Sequence, residues 1–278
     1  YGRVTGWGQE GPLAAAPGHD LNYVALTGVL AAIGTPSSGP VAPLNLLGDF
    51  AGGGAFLALG VLAAIIEART SGRGQIVDAA MVDGASSLAS MIWGMRSGGW
   101  WPGGRGENML DGGAHFYGVF ECADGKWITL GSIEPPFYAA LLRELELDPT
   151  PFAAQMDARL WPQLRTAVAA AVRRRTRDEW SARLEGSDVC FAPVLDFDEA
   201  RRHPHNVARD AFIERDGLVH PAPAPRFSRT PSALAPAIGA PGSDGVAVLR
   251  ELGIDTARID ALAAAGAIRI PPEEKRHA

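Results

Sequence analysis

Three side chains in this sequence are of the kind that move protons. His19 stands in Pro17-Gly18-His19-Asp20-Leu21-Asn22-Tyr23 and Asp49 in Asn45-Leu46-Leu47-Gly48-Asp49-Phe50. Glu134 comes much later, in Gly131-Ser132-Ile133-Glu134-Pro135-Pro136. His19 and Asp49 each lie beside glycine and next to an apolar run. An imidazole and a carboxylate brought together suit proton transfer at neutral pH. Spacing alone also allows a plainer reading, in which His19 and Asp49 only cap helices.

The elements around them follow from periodicity. Val4-Thr5 reads as a strand end entering a Gly/Pro loop over Gly6 to Pro17. Leu21, Val24, Ala25, Gly28, Val29 and Ala32 recur at helical spacing, so Asp20 to Ala32 is predicted as one helix starting at His19 or Asp20. A polar loop covers Gly34 to Pro40. Leu44 to Ile66 is the most apolar stretch and long enough to weigh as a membrane span. Asn45, Asp49 and the run Gly52-Gly53-Gly54 argue instead for a buried core helix, with glycines letting another backbone pack closely. The same glycines lack the lysine and spacing of a phosphate loop.

Gln75-Ile76-Val77 reads as a strand and Asp78 as the cap of a helix from Ala79 to Ile92, an α/β alternation. Ser97 to Gly113 is rich in Gly and Trp and reads as a linker or flap. A hairpin is predicted from Phe116–Glu121 and Lys126–Leu130 across Ala123-Asp124-Gly125. Helices follow over Pro136–Leu145, Leu160–Val172 and Thr176–Leu184, then a strand over Val189–Val194. The arginines from Arg173 to Arg177 read as a solvated helix end. Pro221 to Pro241 reads as a connection, and Val246 to Ala265 as a helix.

Composition narrows the function. The chain has 278 residues, 47% hydrophobic and 20% charged, enough for a substantial core. Its net charge of −6 gives no electrostatic reason for a nucleic-acid partner. Cys122 and Cys190 lie far apart, so a reducing compartment is expected, cytoplasm by default. The C-terminal Lys275-Arg276-His277-Ala278 is not a peroxisomal tripeptide. His203-Pro204-His205 lacks a third ligand nearby and reads as a structural turn, not a metal site. The first residue is Tyr1, close to what reads as a strand end, so a preceding part of the protein is expected.

Several motifs together resemble the α-methylacyl-CoA racemases within CoA-transferase family III. They are Thr5-Gly6-Trp7-Gly8-Gln9-Glu10-Gly11-Pro12, Gly18-His19-Asp20-Leu21-Asn22-Tyr23, Leu47-Gly48-Asp49-Phe50 and Gly74-Gln75-Ile76-Val77-Asp78-Ala79-Ala80-Met81. Further on come Asp111-Gly112-Gly113-Ala114-His115-Phe116-Tyr117, Ser132-Ile133-Glu134-Pro135 and Pro225-Arg226-Phe227-Ser228-Arg229-Thr230-Pro231. The resemblance implies an α/β fold with a large Rossmann-like domain and a smaller α/β domain, in an interlocked homodimer. With it, residues 1–95 and 222–278 are expected in the large domain and 115–205 in the small one, joined by linkers at 96–114 and 206–221.

By the same resemblance His19 and Asp49 are two acid/base groups acting at the carbon α to an acyl-CoA thioester, and Glu134 orients His19. Asp20, Tyr23, Asn45, Gly48, Ile133 and Tyr117 are expected around the substrate. No cofactor or metal is implied, since CoA is part of the substrate. Inverting that carbon needs a base on each face and passes through an enolate. The backbone N–H of Asp49, at a helix N-terminus, is expected to hold the enolate oxygen. Two other readings remain: a family III CoA-transferase with Asp49 as nucleophile, and a non-catalytic structural partner.

Overall fold

The computed structural model describes residues 1–234 and 241–270. The chain enters as β1 (Gly2–Thr5) and, after a loop, forms α1 (Asp20–Leu26) and α2 (Val29–Ala32). A small hairpin of β2 (Gly34–Thr35) and β3 (Gly39–Pro40) precedes a π-helix (Leu46–Ala55) that runs into α3 (Phe56–Ser71). Next come β4 (Val77–Ala80), α4 (Met81–Leu88) and α5 (Ser90–Ser97). β1 pairs in parallel with β4, Gly2 opposite Val77 and Thr5 opposite Ala80. A parallel pair separated by helices is the α/β arrangement the sequence suggests.

Four expectations are corrected here. The helix predicted from Asp20 to Ala32 breaks at Gly28, whose φ of 80° is left-handed and ends α1. The strand expected at Gln75–Val77 begins at Val77 and takes in Asp78. Asp78 therefore caps no helix; its carboxylate accepts Thr5 Oγ1 and the Gln9 N–H, both at 3.0 Å. The helix predicted to reach Ile92 divides at Ala89 into α4 and α5.

The fourth concerns the apolar stretch. Leu46–Ser71 is helical for 26 residues, long and apolar enough by length and composition to cross a membrane. It is not the buried core helix that was expected. Its glycine segment packs tightly: Gly52 and Gly53 are buried, and a Cβ on Gly84 of α4 would run into the Gly52 backbone. Along α3, Leu57 and Val61 face Gly2 of β1, and Gly60 faces Val77 of β4. The opposite face, with Leu59, Leu62, Ile65 and Ile66, is exposed. Within the described residues the helix has a partner on one side only.

From Tyr117 the chain builds a second core. β5 (Tyr117–Glu121) and β6 (Trp127–Gly131) form the predicted antiparallel hairpin, and β7 (Phe191–Pro193) joins β6. Helices α6 (Pro135–Glu144), α7 (Trp161–Val172) and α8 (Arg177–Leu184) cover it. Phe116, Ile128, Leu141, Val168, Val172 and Trp180 are nearly inaccessible at its centre. The arginine run before α8 is more built than a solvated end. Arg173 pairs with Glu121 and Arg175 with Glu146, while Arg177 is buried, its guanidinium on Asp178 and the Val194 carbonyl.

The chain divides into two compact units, 1–194 and 195–278. The second contains α9 (Phe197–Arg202), α10 (Pro204–Ala208), a hairpin of β8 (Phe212–Arg215) and β9 (Leu218–Pro221), α11 (Gly245–Glu251) and α12 (Thr256–Ala264). Regular structure thus occupies most of 206–221, where the sequence suggests a linker. His203 caps α10. Gly253, φ 80°, breaks the helix predicted over Val246–Ala265. Part of the proline-rich connection, 235–240, and the C-terminal tetrapeptide lie outside the described residues.

Candidate active site

Asp20 is the hub of the site. It is the first residue of α1, directly after His19, and only 4% exposed. Its Oδ1 accepts the backbone N–H of Gly48 at 2.6 Å and of Asp49 at 2.7 Å. These amides open the π-helix and have no partner inside it, so a carboxylate there satisfies them and meets the positive end of the helix. Gly48 has to be glycine, because a Cβ would lie 2.5 Å from Asp20 Oδ1. The other carboxylate oxygen of Asp20 is buried and has no hydrogen-bond partner among the described residues.

This geometry revises one expectation. The Asp49 N–H donates to Asp20, so it is not free to hold an enolate oxygen. Asp20 itself holds the backbone on which Asp49 stands. The carboxylate of Asp49 is half-buried and accepts from Asn45 Nδ2 at 3.1 Å. A widened π-turn at a functional segment is a recurrent arrangement.

His19 is exposed at the N-terminus of α1, and its backbone N–H donates to Asn22 Oδ1 at 3.0 Å. The turn before it is fixed by Tyr23, whose hydroxyl donates to the Gly18 carbonyl. Tyr23 is buried edge-on against Trp7, ring centroids 4.7 Å apart. A Cβ on either Gly6 or Gly18 would run into the Tyr23 ring. Through Asp20, then, the segments bearing His19 and Asp49 are joined, and Tyr23, Asn45 and Gly48 belong to the same cluster.

Glu134 belongs to a different cluster. It caps α6 and is exposed, and among the described residues no hydrogen bond or ion pair joins it to His19 or Asp49. Its loop is held firmly. Ser132 is buried, donating to Val189 O at 2.5 Å and receiving support from Phe116 O through its own N–H at 3.0 Å. Gln155 Nε2 reaches the carbonyls of Ser132 at 3.3 Å and Ile133 at 2.9 Å. Trp161 Nε1 in turn donates to Gln155 O at 2.8 Å. Tyr117 pairs with Gly131 at the base of this loop, and Ile133 is half-buried on it. Loss of solvent first and the Glu134 carboxylate second push the Cys190 thiol up, which marks Cys190 as a neighbour.

No spacing or motif in the sequence marks Gln155 or the role of His115. His115 is fully buried, its Nε2 2.5 Å from the Tyr138 hydroxyl, which lies 3.2 Å from Phe152 O. Nδ1 has no partner. The network assigns the proton to Nε2, so that the chain runs from His115 through Tyr138 to the Phe152 carbonyl. Burial, then the charge of Arg165, hold the imidazole down at about 4. Among the described residues no group of His, Cys, Asp or Glu is arranged to hold a metal ion.

The model of CoA-transferase family III matches residues 1–244, and the chain belongs to that family. It is 43% identical to the alpha-methylacyl-CoA racemase of Mus musculus over 264 residues, covering 93% of this chain and 68% of the mouse protein. With the alpha-methylacyl-CoA racemase of Homo sapiens it shares 43% identity over 235 residues, 84% of this chain and 61% of the relative. It aligns with the C-terminal part of both. A succinyl-CoA–L-malate CoA-transferase β subunit of Chloroflexus aurantiacus is 28% identical over 257 residues, 84% of this chain and 60% of that protein. The crystal structure of a CAIB/BAIF family protein from Brucella suis superposes with a TM-score of 0.73 at 22% identity, covering 91% of this chain and 67% of that one, which establishes the fold.

Proposed function

We propose that this chain is the greater part of an α-methylacyl-CoA racemase that inverts the carbon α to a thioester by two-base proton transfer. The single observation that carries the reading is Asp20. Its carboxylate ties the segment of His19 to the backbone of Asp49, as two bases serving one carbon require. The 43% identity to two racemases supports the substrate class.

In this scheme one base takes the α-proton of a 2-methylacyl-CoA, leaving a planar enolate. The other then delivers a proton to the opposite face. Histidine and a carboxylate can each play either part. Tyr23, Asn45, Gly48, Ile133 and Tyr117 surround the thioester, and Asp20 positions Asp49. No cofactor is needed beyond the CoA of the substrate.

Glu134 orients His19, and in this proposal it comes from a second copy of the chain. Homodimerisation is supported by the exposed α3 face of Leu59, Leu62, Ile65 and Ile66, the sort of surface that obligate interfaces bury. The division into a large domain of 1–95 and 222–278 and a small one of 115–205 belongs to the same proposal, as does a cytoplasmic location.

Deuterium incorporation into single epimers of 2-methylacyl-CoA, followed by NMR, tests the scheme. His19→Ala and Asp49→Ala should each abolish racemisation while retaining exchange from opposite epimers. Racemisation by His19→Ala near the wild-type rate would defeat it. The transferase reading, favoured by the more distant relatives, predicts instead a trappable acyl-enzyme on Asp49 that Asp49→Ala loses.

A further inference from the structure

The first unit contains a cavity of about 630 Å³ whose lining includes none of His19, Asp49 and Glu134. Gly28, in its lining, follows the end of α1 opposite His19, and the seven residues of α1 rise roughly 10 Å. Its walls are the segment Gly28–Gly34, the α5 residues Ile92, Trp93 and Arg96, and a loop from Trp101 to Asp111.

The loop wall is built in advance. Asn108 is buried, and its side chain bonds Gly103 N at 3.0 Å, Gly104 O at 2.7 Å and Asp111 Oδ2 at 2.8 Å. Asp111 also accepts the N–H groups of Gly106, Asn108 and Gly113. Arg105 fastens the loop to the opposite wall through Ala31 O at 2.7 Å and Thr35 O at 3.1 Å. A cavity so held is ready for its occupant and loses little freedom on binding.

Its chemistry is amphiphilic. Val29, Ile33, Ile92, Trp93, Trp101 and Leu110 make its lining largely apolar. Two guanidinium groups, Arg96 and Arg105, line it, and neither forms an ion pair among the described residues. Among the described residues Arg105 bonds only to carbonyls, and Asp111, the one carboxylate in the lining, already faces several donors. The cavity is thus a cationic, apolar recess on a chain of net charge −6. An Arg at the last turn of α5 also suits the helix dipole, so the position of Arg96 alone decides nothing. Guanidinium charge without an ion-pair partner among the described residues stands here beside a prebuilt, largely apolar lining.

We propose that this cavity binds a free monocarboxylate with an apolar body, its carboxylate on Arg96. The assignment is independent of the racemase reading, and its test uses no thioester and no turnover. Calorimetric titration with decanoate should show one saturable site per chain. Arg96→Gln, an exposed substitution that leaves the fold alone, should weaken decanoate about tenfold, as loss of a charge-assisted hydrogen bond does. Decanol should bind the wild type about as weakly as decanoate binds Arg96→Gln, and should not respond to that substitution. Ala32→Phe, which fills the recess, should abolish saturation while the circular dichroism stays native. No saturable site for decanoate in the wild type overturns the proposal. So does equal binding of decanol and decanoate, or of a decyl quaternary ammonium and decanoate, or an Arg96→Gln affinity equal to that of the wild type.

Discussion

The carboxylate of Asp20 lies 2.7 Å from the backbone nitrogen of Asp49, across 29 residues of sequence. The bond is buried beside that to Gly48, and it makes the residue after His19 responsible for where Asp49 stands. Asp49 is then aimed by Asn45, one turn earlier in the chain. The two proposed bases are therefore not placed by independent elements.

Asp20→Ala should leave two amides without an acceptor, one of them buried, and lower stability by about 2–4 kcal/mol. Because displacing a reacting group by an ångström can cost about a hundredfold in rate, kcat should fall by that order with KM little changed. Asp20→Asn keeps an acceptor oxygen and should be milder in both respects. Urea denaturation and steady-state racemisation measure the two effects. Wild-type kcat in Asp20→Ala would show that Asp49 is held by something else.

The glycine contact between the π-helix and α4 makes a second prediction. A Cβ at position 84 meets the backbone of Gly52, which has no flexible side chain to yield. Gly84→Ala should cost about 3 kcal/mol or more through overpacking. Gly74→Ala, where a Cβ meets nothing within 4 Å, should be neutral or stabilising by roughly 0.5 kcal/mol through the unfolded chain. Equal denaturation midpoints for the two variants would contradict the packing argument.

His115 predicts a pH dependence of stability. Its folded-state pKa is lowered from 6.5 to about 4, so between those values the unfolded chain binds the proton and the folded chain does not. Stability from this group is complete above pH 6.5 and is lost as pH falls toward 4, by at most about 3 kcal/mol at 1.36 kcal/mol per unit. His115→Gln should be less stable at pH 7 and lose less on acidification. A parallel pH–stability curve for the variant would remove His115 as the cause.

Much of this was legible, and the failures share a cause. The β5–β6 hairpin announces itself by alternation around Ala123-Asp124-Gly125, because its register is local. In sequence Gly28 is a small residue on a helical face, and only its left-handed φ shows that the helix ends there. Asp78 resembles a cap in sequence, yet its oxygens go to Thr5 and Gln9, more than sixty residues away. The π-helix has the composition of any apolar helix. Asp20 was visible as a neighbour of His19, but its bond to Asp49 depends on tertiary placement that no spacing encodes.

The loop of Glu134 offers a test that separates positioning from stability. Gln155 holds the carbonyls of Ser132 and Ile133, the two residues before Glu134, and Trp161 holds Gln155. If Glu134 orients His19, then Gln155→Ala should lower kcat/KM about tenfold by letting that carboxylate wander. Glu134→Gln should have an effect of similar size, since it weakens the support of His19 and removes no proton carrier. The double variant should be no worse than either alone, because residues acting through one another are not additive. Purely structural damage by Gln155→Ala would instead multiply with the effect of Glu134→Gln, leaving the coupling energy near zero. A full cycle of the four proteins, with kcat/KM measured at a pH where all are folded, decides between these outcomes.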